Sequence, residues 1–211
     1  MNLLEDLRKS VIEGDLNATQ DLVHKALVEN FPPEKILTDG LISAMSEVGR
    51  MFEAGEFYVP EMLISARAMK GGLAILRPQL AAANIQAVGR VIIGTVQGDL
   101  HDIGKNLVGM MLEGAGFEVI DLGVDVSPEK YVRAVKEHQP DLVGCSALLT
   151  TTMPRMQDIL QALQSAGLRD KVKVMIGGAP VTEQYARDIG ADIFASDAAS
   201  AAQRALQALK G

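Results

Sequence analysis

The stretch Gly98-Asp99-Leu100-His101-Asp102-Ile103-Gly104-Lys105-Asn106 carries the residue types best suited to chemistry. A neutral imidazole binds a metal through one ring nitrogen, and its other N–H needs an acceptor that fixes tautomer and tilt. Asp99, two residues before His101, is placed to be that acceptor. Gly104 would let a bulky ligand come close to the backbone. A single histidine with no Cys or His cluster around it cannot build a closed zinc site. It can serve as an axial ligand to a metal that a macrocycle already holds. The glycine spacing of a dinucleotide fingerprint is absent, and Gly104-Lys105 is not part of a P-loop. The structural alternative is a solvated loop histidine with Asp99 or Asp102 capping the next helix.

Something must hold this loop, and the apolar periodicity says what. From residue 1 to about 80 the pattern is helical. Leu3, Leu4, Leu7, Val11 and Ile12 mark a first helix ended by Gly14, and Leu16, Leu22, Val23, Ala26 and Leu27 a second closed by Asn30. Pro32-Pro33-Glu34 starts a third that Gly55 breaks, and Pro60 starts a fourth running through Leu73. Four helices with short connections predict a small bundle. Pro78 and Ala81–Ala87 read as a linker and hinge, dividing the chain into domains 1–85 and 86–211.

Beyond the linker, strand and helix alternate. Strands are expected at Val88–Val96, Phe117–Leu122, Asp141–Ser146, Val172–Ile176 and Ile193-Phe194. Helices are expected at Ile103–Ala115, Pro128–His138, Met153–Ala166, Thr182–Ile189 and Ala198–Leu209. Such alternation predicts an α/β fold: a doubly wound, Rossmann-like (flavodoxin-like) five-stranded parallel sheet in the order 2-1-3-4-5. Its ligand crevice lies beyond the carboxyl ends of strands 1 and 3, in the loops that start near Gln97 and Ser146.

Composition excludes several classes. The 211 residues are 48% hydrophobic and 22% charged, an ordinary globular balance. A net charge of −7, no basic cluster and only 4% aromatic residues argue against a nucleic-acid partner. No apolar run is long enough to cross a membrane, and Met1-Asn2-Leu3-Leu4-Glu5-Asp6 is no signal peptide, so a cytoplasmic location is expected. The lone Cys145 reads as a small buried apolar residue rather than a nucleophile, and His24 and His138 as solvent-facing positions on amphipathic helices.

Asp99-x-His101-x-x-Gly104 resembles the signature of cobalamin-binding domains that hold the cofactor base-off and His-on. Ser146-Ala147-Leu148 resembles the family's Ser-x-Leu, Gly177-Gly178 its Gly-Gly, and Asp192–Ala198 its last strand and helix start. In the helical half, Gly55–Leu63 looks like the cap-helix motif of corrinoid methyl carriers. Essentially the whole chain resembles the methyltransferase cognate corrinoid proteins, which are similar to the cobalamin module of methionine synthase.

The resemblance implies a cobamide whose cobalt takes His101 as its lower ligand, with Asp99 accepting the other ring N–H. A hydroxyl after strand 3 completes that relay; here it falls to Thr152, where methionine synthase has serine, and the alternative for Thr152 is a helix cap before Met153. Asp102, Ile103, Gly104, Ser146, Leu148, Thr150, Gly177, Gly178 and Asp197 are the further cofactor-binding residues it implies. The alternative for Gly177-Gly178 is an ordinary strand-to-helix turn. Tyr58, Val59 and Met62 would lie over the upper face of the corrin; without the resemblance they read as staple and core positions of a bundle. The implied function is non-catalytic alone: a corrinoid carrier in anaerobic one-carbon metabolism, moving a methyl group from a substrate-specific methyltransferase to an acceptor methyltransferase with a tetrahydrofolate or thiol acceptor. A reductive activase is a third implied partner. The competing readings are the cobalamin subunit of an adenosylcobalamin-dependent mutase and a cobalamin-sensing regulator.

Overall fold

The computed structural model describes residues 2–209. The chain divides into two compact units at Ala87/Val88, with Glu113–Gly116 grouped with the first.

The first unit is helical. Asn2 and Asp15 cap α1 (Leu3–Ile12) and α2 (Leu16–Val28), each accepting a backbone N–H from the first turn. Gly14 makes the turn between them at φ +72°. Pro33 opens α3 (Pro33–Lys35), which continues through a π-helical stretch, Ile36–Ile42, into α4 (Ser43–Glu53). The periodic sequence predicted one plain helix there. The wider winding turns Gly40 inward against Leu7, whose Cδ2 would lie 2.6 Å from any Cβ at that position. Leu7, Val11, Val23, Ala26, Ile36, Leu41, Met45, Val48, Met69 and Leu76 are buried.

α5 (Val59–Ala82) is longer than the sequence suggested. The fourth helix was expected to stop near Leu73, with Pro78 in the linker; instead the helix carries Pro78 within it. Pro78 lies on the exposed side while Leu76 and Leu80 are buried, so the packed face keeps the helix going past a lost hydrogen bond. Asn84, at φ +57°, ends it instead, and the N–H groups of Asn84 and Ile85 close back on Ala81 and Leu80. The segment free of helix between the two units is therefore 83–89, not 81–87 with Pro78.

The second unit is a five-stranded parallel sheet in the order β2-β1-β3-β4-β5. Its strands are β1 (Arg90–Thr95), β2 (Glu118–Asp121), β3 (Leu142–Ser146), β4 (Lys173–Gly177) and β5 (Ile193–Ala195). The helices are α6 (Ile103–Gly114), α7 (Pro128–His138), α8 (Pro154–Ser165), α9 (Glu183–Ile189) and α10 (Ala198–Ala208). The doubly wound order, with its reversal between β1 and β3, is the one the alternation predicted. Val91, Ile92, Leu142, Val143, Val174 and Ile176 have no exposed surface, as expected of strands covered on both faces. Ser127, Thr182 and Asp197 cap α7, α9 and α10. Among the described residues no helix is long and apolar enough to cross a membrane.

Tyr131 of α7 is fully buried against the sheet, and its hydroxyl donates to the carbonyl of Gly94 at 2.7 Å. A Cβ at Gly94 would lie 2.7 Å from that oxygen, so the two residues fit only as a pair. Gly94→Ala is expected to destabilise the sheet unit by about 1–3 kcal/mol in urea unfolding. Adding Tyr131→Phe should recover part of that loss; simple additivity in the double variant would contradict the pairing.

Candidate functional site

The loop after β1 and the loop after β3 meet at the reversal of winding, where ligands of open α/β sheets bind. Their junction is the Asp99 carboxylate, which has no exposed surface. One oxygen accepts from Nδ1 of His101 at 2.9 Å and from the His101 backbone N–H at 3.1 Å. The other accepts from the Thr152 hydroxyl at 2.8 Å and from the N–H groups of Leu148 at 2.8 Å and Leu149 at 3.3 Å. Burial alone would push this carboxyl group up. The Leu148 N–H, the His101 ring, the Thr152 hydroxyl and the His101 N–H outweigh it and hold Asp99 well below the usual carboxylate range.

A carboxylate that stays ionised accepts and does not donate, so the proton of the His101 ring belongs on Nδ1. Nε2 is left with its lone pair. The imidazole is 54% exposed, so that nitrogen is within reach of a ligand. The His101 carbonyl is fixed as well, by the hydroxyl of buried Thr95 at 2.7 Å. The Asp99 carboxylate is spent on the two loops rather than on capping α6; Asp102 directly precedes α6, where its carbonyl accepts the Asn106 N–H at 2.8 Å and its side chain the Asn106 amide at 3.2 Å. Thr152 is not a helix cap either, since Met153 occupies that position of α8 without a side-chain bond.

The residues around this centre fall into two groups. Leu100, Ile103, Leu148 and Leu149 are large apolar side chains between 41% and 78% exposed, on the two loops that Asp99 ties together and at the start of α6. Soluble surfaces seldom leave such a group open without a use. A Cβ at Gly104 would meet nothing within 4 Å, so no packing inside the chain requires a glycine there. Thr150 is exposed on the same loop as Thr152, and Ser146 is half-buried at the end of β3.

Gly177 and Gly178 belong to the second group, for which the fold itself supplies a reason. A Cβ on Gly177 would come within 2.9 Å of the Ala195 carbonyl, and Gly178, at φ +133°, would collide with the Ala147 carbonyl. Asp197 caps α10, accepting from Ser200 N–H at 2.8 Å. In the helical unit Tyr58 is 67% and Val59 37% exposed, with the Glu61 side chain accepting the Tyr58 N–H. Met62 is fully buried and offers a ligand no surface, the bundle-core position that its spacing alone suggested. Cys145 is buried too, and burial pushes its thiol up to about 12, which leaves it inert.

No cluster of three or more His, Cys, Asp or Glu that could hold a metal ion exists among the described residues. The donor set is thus one imidazole with an oriented second shell. That fits a metal whose other ligands come from a macrocycle, and the open glycine and exposed apolar rim fit the bulk of one. An α/β sheet that offers one such histidine at its winding reversal has the donor set of a protein that binds a metal macrocycle.

Comparison with known proteins agrees. Residues 89–206 match one B12 binding domain family and residues 3–77 a second. The chain is 40% identical over 208 residues to a corrinoid protein of Desulfitobacterium hafniense, covering 97% of this chain and 96% of that one. It is 41% identical over 210 residues to trimethylamine corrinoid protein 2 of Methanosarcina acetivorans, covering 99% and 97%. Among solved structures, a cobalamin-binding protein from D. hafniense has a TM-score of 0.82 at 32% identity over 98% of both chains. The methanol:cobalamin methyltransferase complex MtaBC of Methanosarcina barkeri has a TM-score of 0.89 at 28% identity, covering 99% of this chain and 80% of that one. The chain belongs to the B12-binding-domain family, among its methyltransferase corrinoid proteins.

The sequence reading missed two parts of the centre: the Thr95 hydroxyl, which looks like an ordinary strand residue, and the N–H of Leu149, which carries no side-chain signal.

Because Asp99 is buried, ionised and hydrogen-bonded, it stabilises the apoprotein above the ordinary aspartate range near pH 4. That contribution is expected to fade as the pH falls through the lowered value. Urea unfolding of wild type should lose stability on acidification below about pH 4 more steeply than Asp99→Asn; parallel curves would contradict the assignment. Thr152→Val should cost the apoprotein about 1–2 kcal/mol, with Thr152→Ser restoring most of it.

Proposed function

We propose that this chain is a corrinoid methyl carrier that holds a cobamide with His101 as the lower axial ligand and passes a methyl group from a substrate-specific methyltransferase to an acceptor methyltransferase. The observation that carries the reading is the Asp99 carboxylate: buried, bonded to Nδ1 of His101, and leaving Nε2 free and exposed. The bound cobamide would supply a cobalt centre able to accept and give up a methyl group, chemistry intrinsic to the cofactor.

The chain's own residues do the rest. Asp99 accepts from Nδ1 and keeps the ring at one tilt, with Nε2 turned outward. Thr152 and the Leu148 and Leu149 N–H groups keep Asp99 ionised and immobile, so it does not swing toward solvent when His101 lets go. Gly104, Leu100, Ile103, Leu148 and Leu149 would receive the apolar rim of the macrocycle; Asp102, Ser146, Thr150, Gly177, Gly178 and Asp197 would line its surroundings. Tyr58 and Val59, exposed at the start of α5, are the proposed shield for the bound methyl group.

The relatives named for trimethylamine and the MtaBC complex favour a carrier over a mutase subunit or a regulator. A carrier must be handed between partners, so a substrate-specific methyltransferase, an acceptor methyltransferase using tetrahydrofolate or a thiol, and a reductive activase are the proposed partners.

Apoprotein mixed with hydroxocobalamin and freed of excess by gel filtration should retain about one corrinoid per chain. Its visible spectrum should be that of a nitrogen-ligated cobalt; His101→Ala should retain corrinoid more weakly and with a base-off spectrum. Protein that elutes colourless, or a variant with an unchanged spectrum, would refute the reading.

A further inference from the structure

The loop that carries His101 has little apolar burial to hold it. Leu100 and Ile103, on either side of the histidine, are 73% and 78% exposed, and Gly98 enters the loop at φ +83°. Asp99 ties it to the β3 side only. On the opposite side lies the loop after β2, and there Asp125 makes two hydrogen bonds to it. Its carboxylate accepts the Gly98 N–H at 2.7 Å, and its own N–H donates to the Asp99 carbonyl at 3.0 Å. Asp125 does this in the left-handed region, at φ +52°, a conformation that aspartate and asparagine tolerate better than most residues. The downstream end is held from the same side: buried Lys105 reaches Asp121 at 2.5 Å, and Asp121 also accepts the Gly123 N–H at 2.8 Å.

We infer that Asp125 is a positioning residue for the axial ligand: it braces Gly98 and Asp99 from the β2 side, so that His101 meets a metal already in place. Asp99 on its own cannot do this. Its side chain is anchored to Thr152 and the Leu148 N–H, and the end of β1 holds the loop through the Val96 carbonyl on the Asp99 N–H and the Thr95 hydroxyl on the His101 carbonyl, but the Gly98 N–H and the Asp99 carbonyl are held by Asp125. The brace at Gly98 is in place before any ligand arrives, so less order remains to be imposed when Nε2 binds. The inference rests on the reading of His101 as ligand to the cobalt.

Two substitutions separate the hydrogen bond from the backbone conformation. Asp125→Gly adopts a positive φ freely but has no acceptor, whereas Asp125→Asn keeps both the acceptor and the tolerance of φ. Each variant, loaded with cobalamin and reduced to cobalt(II), is compared by EPR for the ratio of nitrogen-split to unsplit signal, alongside the melting temperature of the apoprotein. The ratio is expected to fall about tenfold in Asp125→Gly and to return to near the wild-type value in Asp125→Asn. An unchanged ratio in Asp125→Gly, or an equal fall in both variants, would overturn the inference. Amide exchange at Gly98 in the apoprotein gives a readout that needs no cofactor: faster exchange in Asp125→Gly alone supports the brace, and unchanged exchange refutes it. Should wild type retain no cobamide, the reading of His101 fails while the Gly98 exchange still decides the brace.

Discussion

A buried carboxylate with five donors organises this protein. Asp99 lies where no solvent reaches it, and an ionised group there is tolerable only because every side of it is hydrogen-bonded. Those donors come from two separate segments, His101 on one side and Leu148, Leu149 and Thr152 on the other. A single side chain therefore closes the gap at the reversal of sheet winding and sets the tautomer of the only histidine that faces it. Nearly everything else in the sheet unit serves to bring these two loops to the same level. The parallel register puts Thr95 opposite Ser146, so β1 and β3 end together and release their loops side by side.

This arrangement divides labour between fold and cofactor. Under the proposed reading the fold would supply one nitrogen, an orienting anion and an apolar rim, and a macrocyclic metal centre would supply the remaining coordination and the reactivity. The one thiol of the chain, Cys145 on β3, is buried in the core of the sheet unit. The ordered surroundings of His101 contrast with its exposed neighbours Leu100 and Ile103. The backbone is held by hydrogen bonds while the apolar side chains around it are exposed.

Much of this was legible in the sequence, for identifiable reasons. Alternating apolar strands and helices pointed to a covered parallel sheet, because buried parallel strands read as continuous apolar runs such as Val91-Ile92-Ile93, and five strands suit the order 2-1-3-4-5 that is found. Gly14, Asn30 and Gly55 marked helix ends by local chemistry alone, and each has a positive φ in the structure. Asp99-x-His101 announced an oriented imidazole. What escaped depends on tertiary context. The π-helical stretch at Ile36–Ile42 brings Gly40 against Leu7, residues far apart in sequence. The passage of α5 through Pro78 depends on which face Leu76 and Leu80 bury. Met62 reads equally well as core or as cap until the packing is seen. Gly177 and Gly178 looked like room for a ligand, yet the close approach of Ala195 and Ala147 already requires them. Donors from backbone N–H groups, as at Leu149, leave no mark in a sequence at all.

The most direct test labels the histidines. Protein grown with 15N-histidine, loaded with cobalamin and reduced to cobalt(II), should give an EPR spectrum in which each nitrogen-split line is a doublet rather than the triplet of unlabelled protein. That exchange of pattern can arise only if a histidine of this chain sits on the cobalt, and with His101→Ala in the labelled background the doublet should vanish. A triplet that persists in the 15N-histidine protein would place the cofactor's own base on the metal and contradict the account.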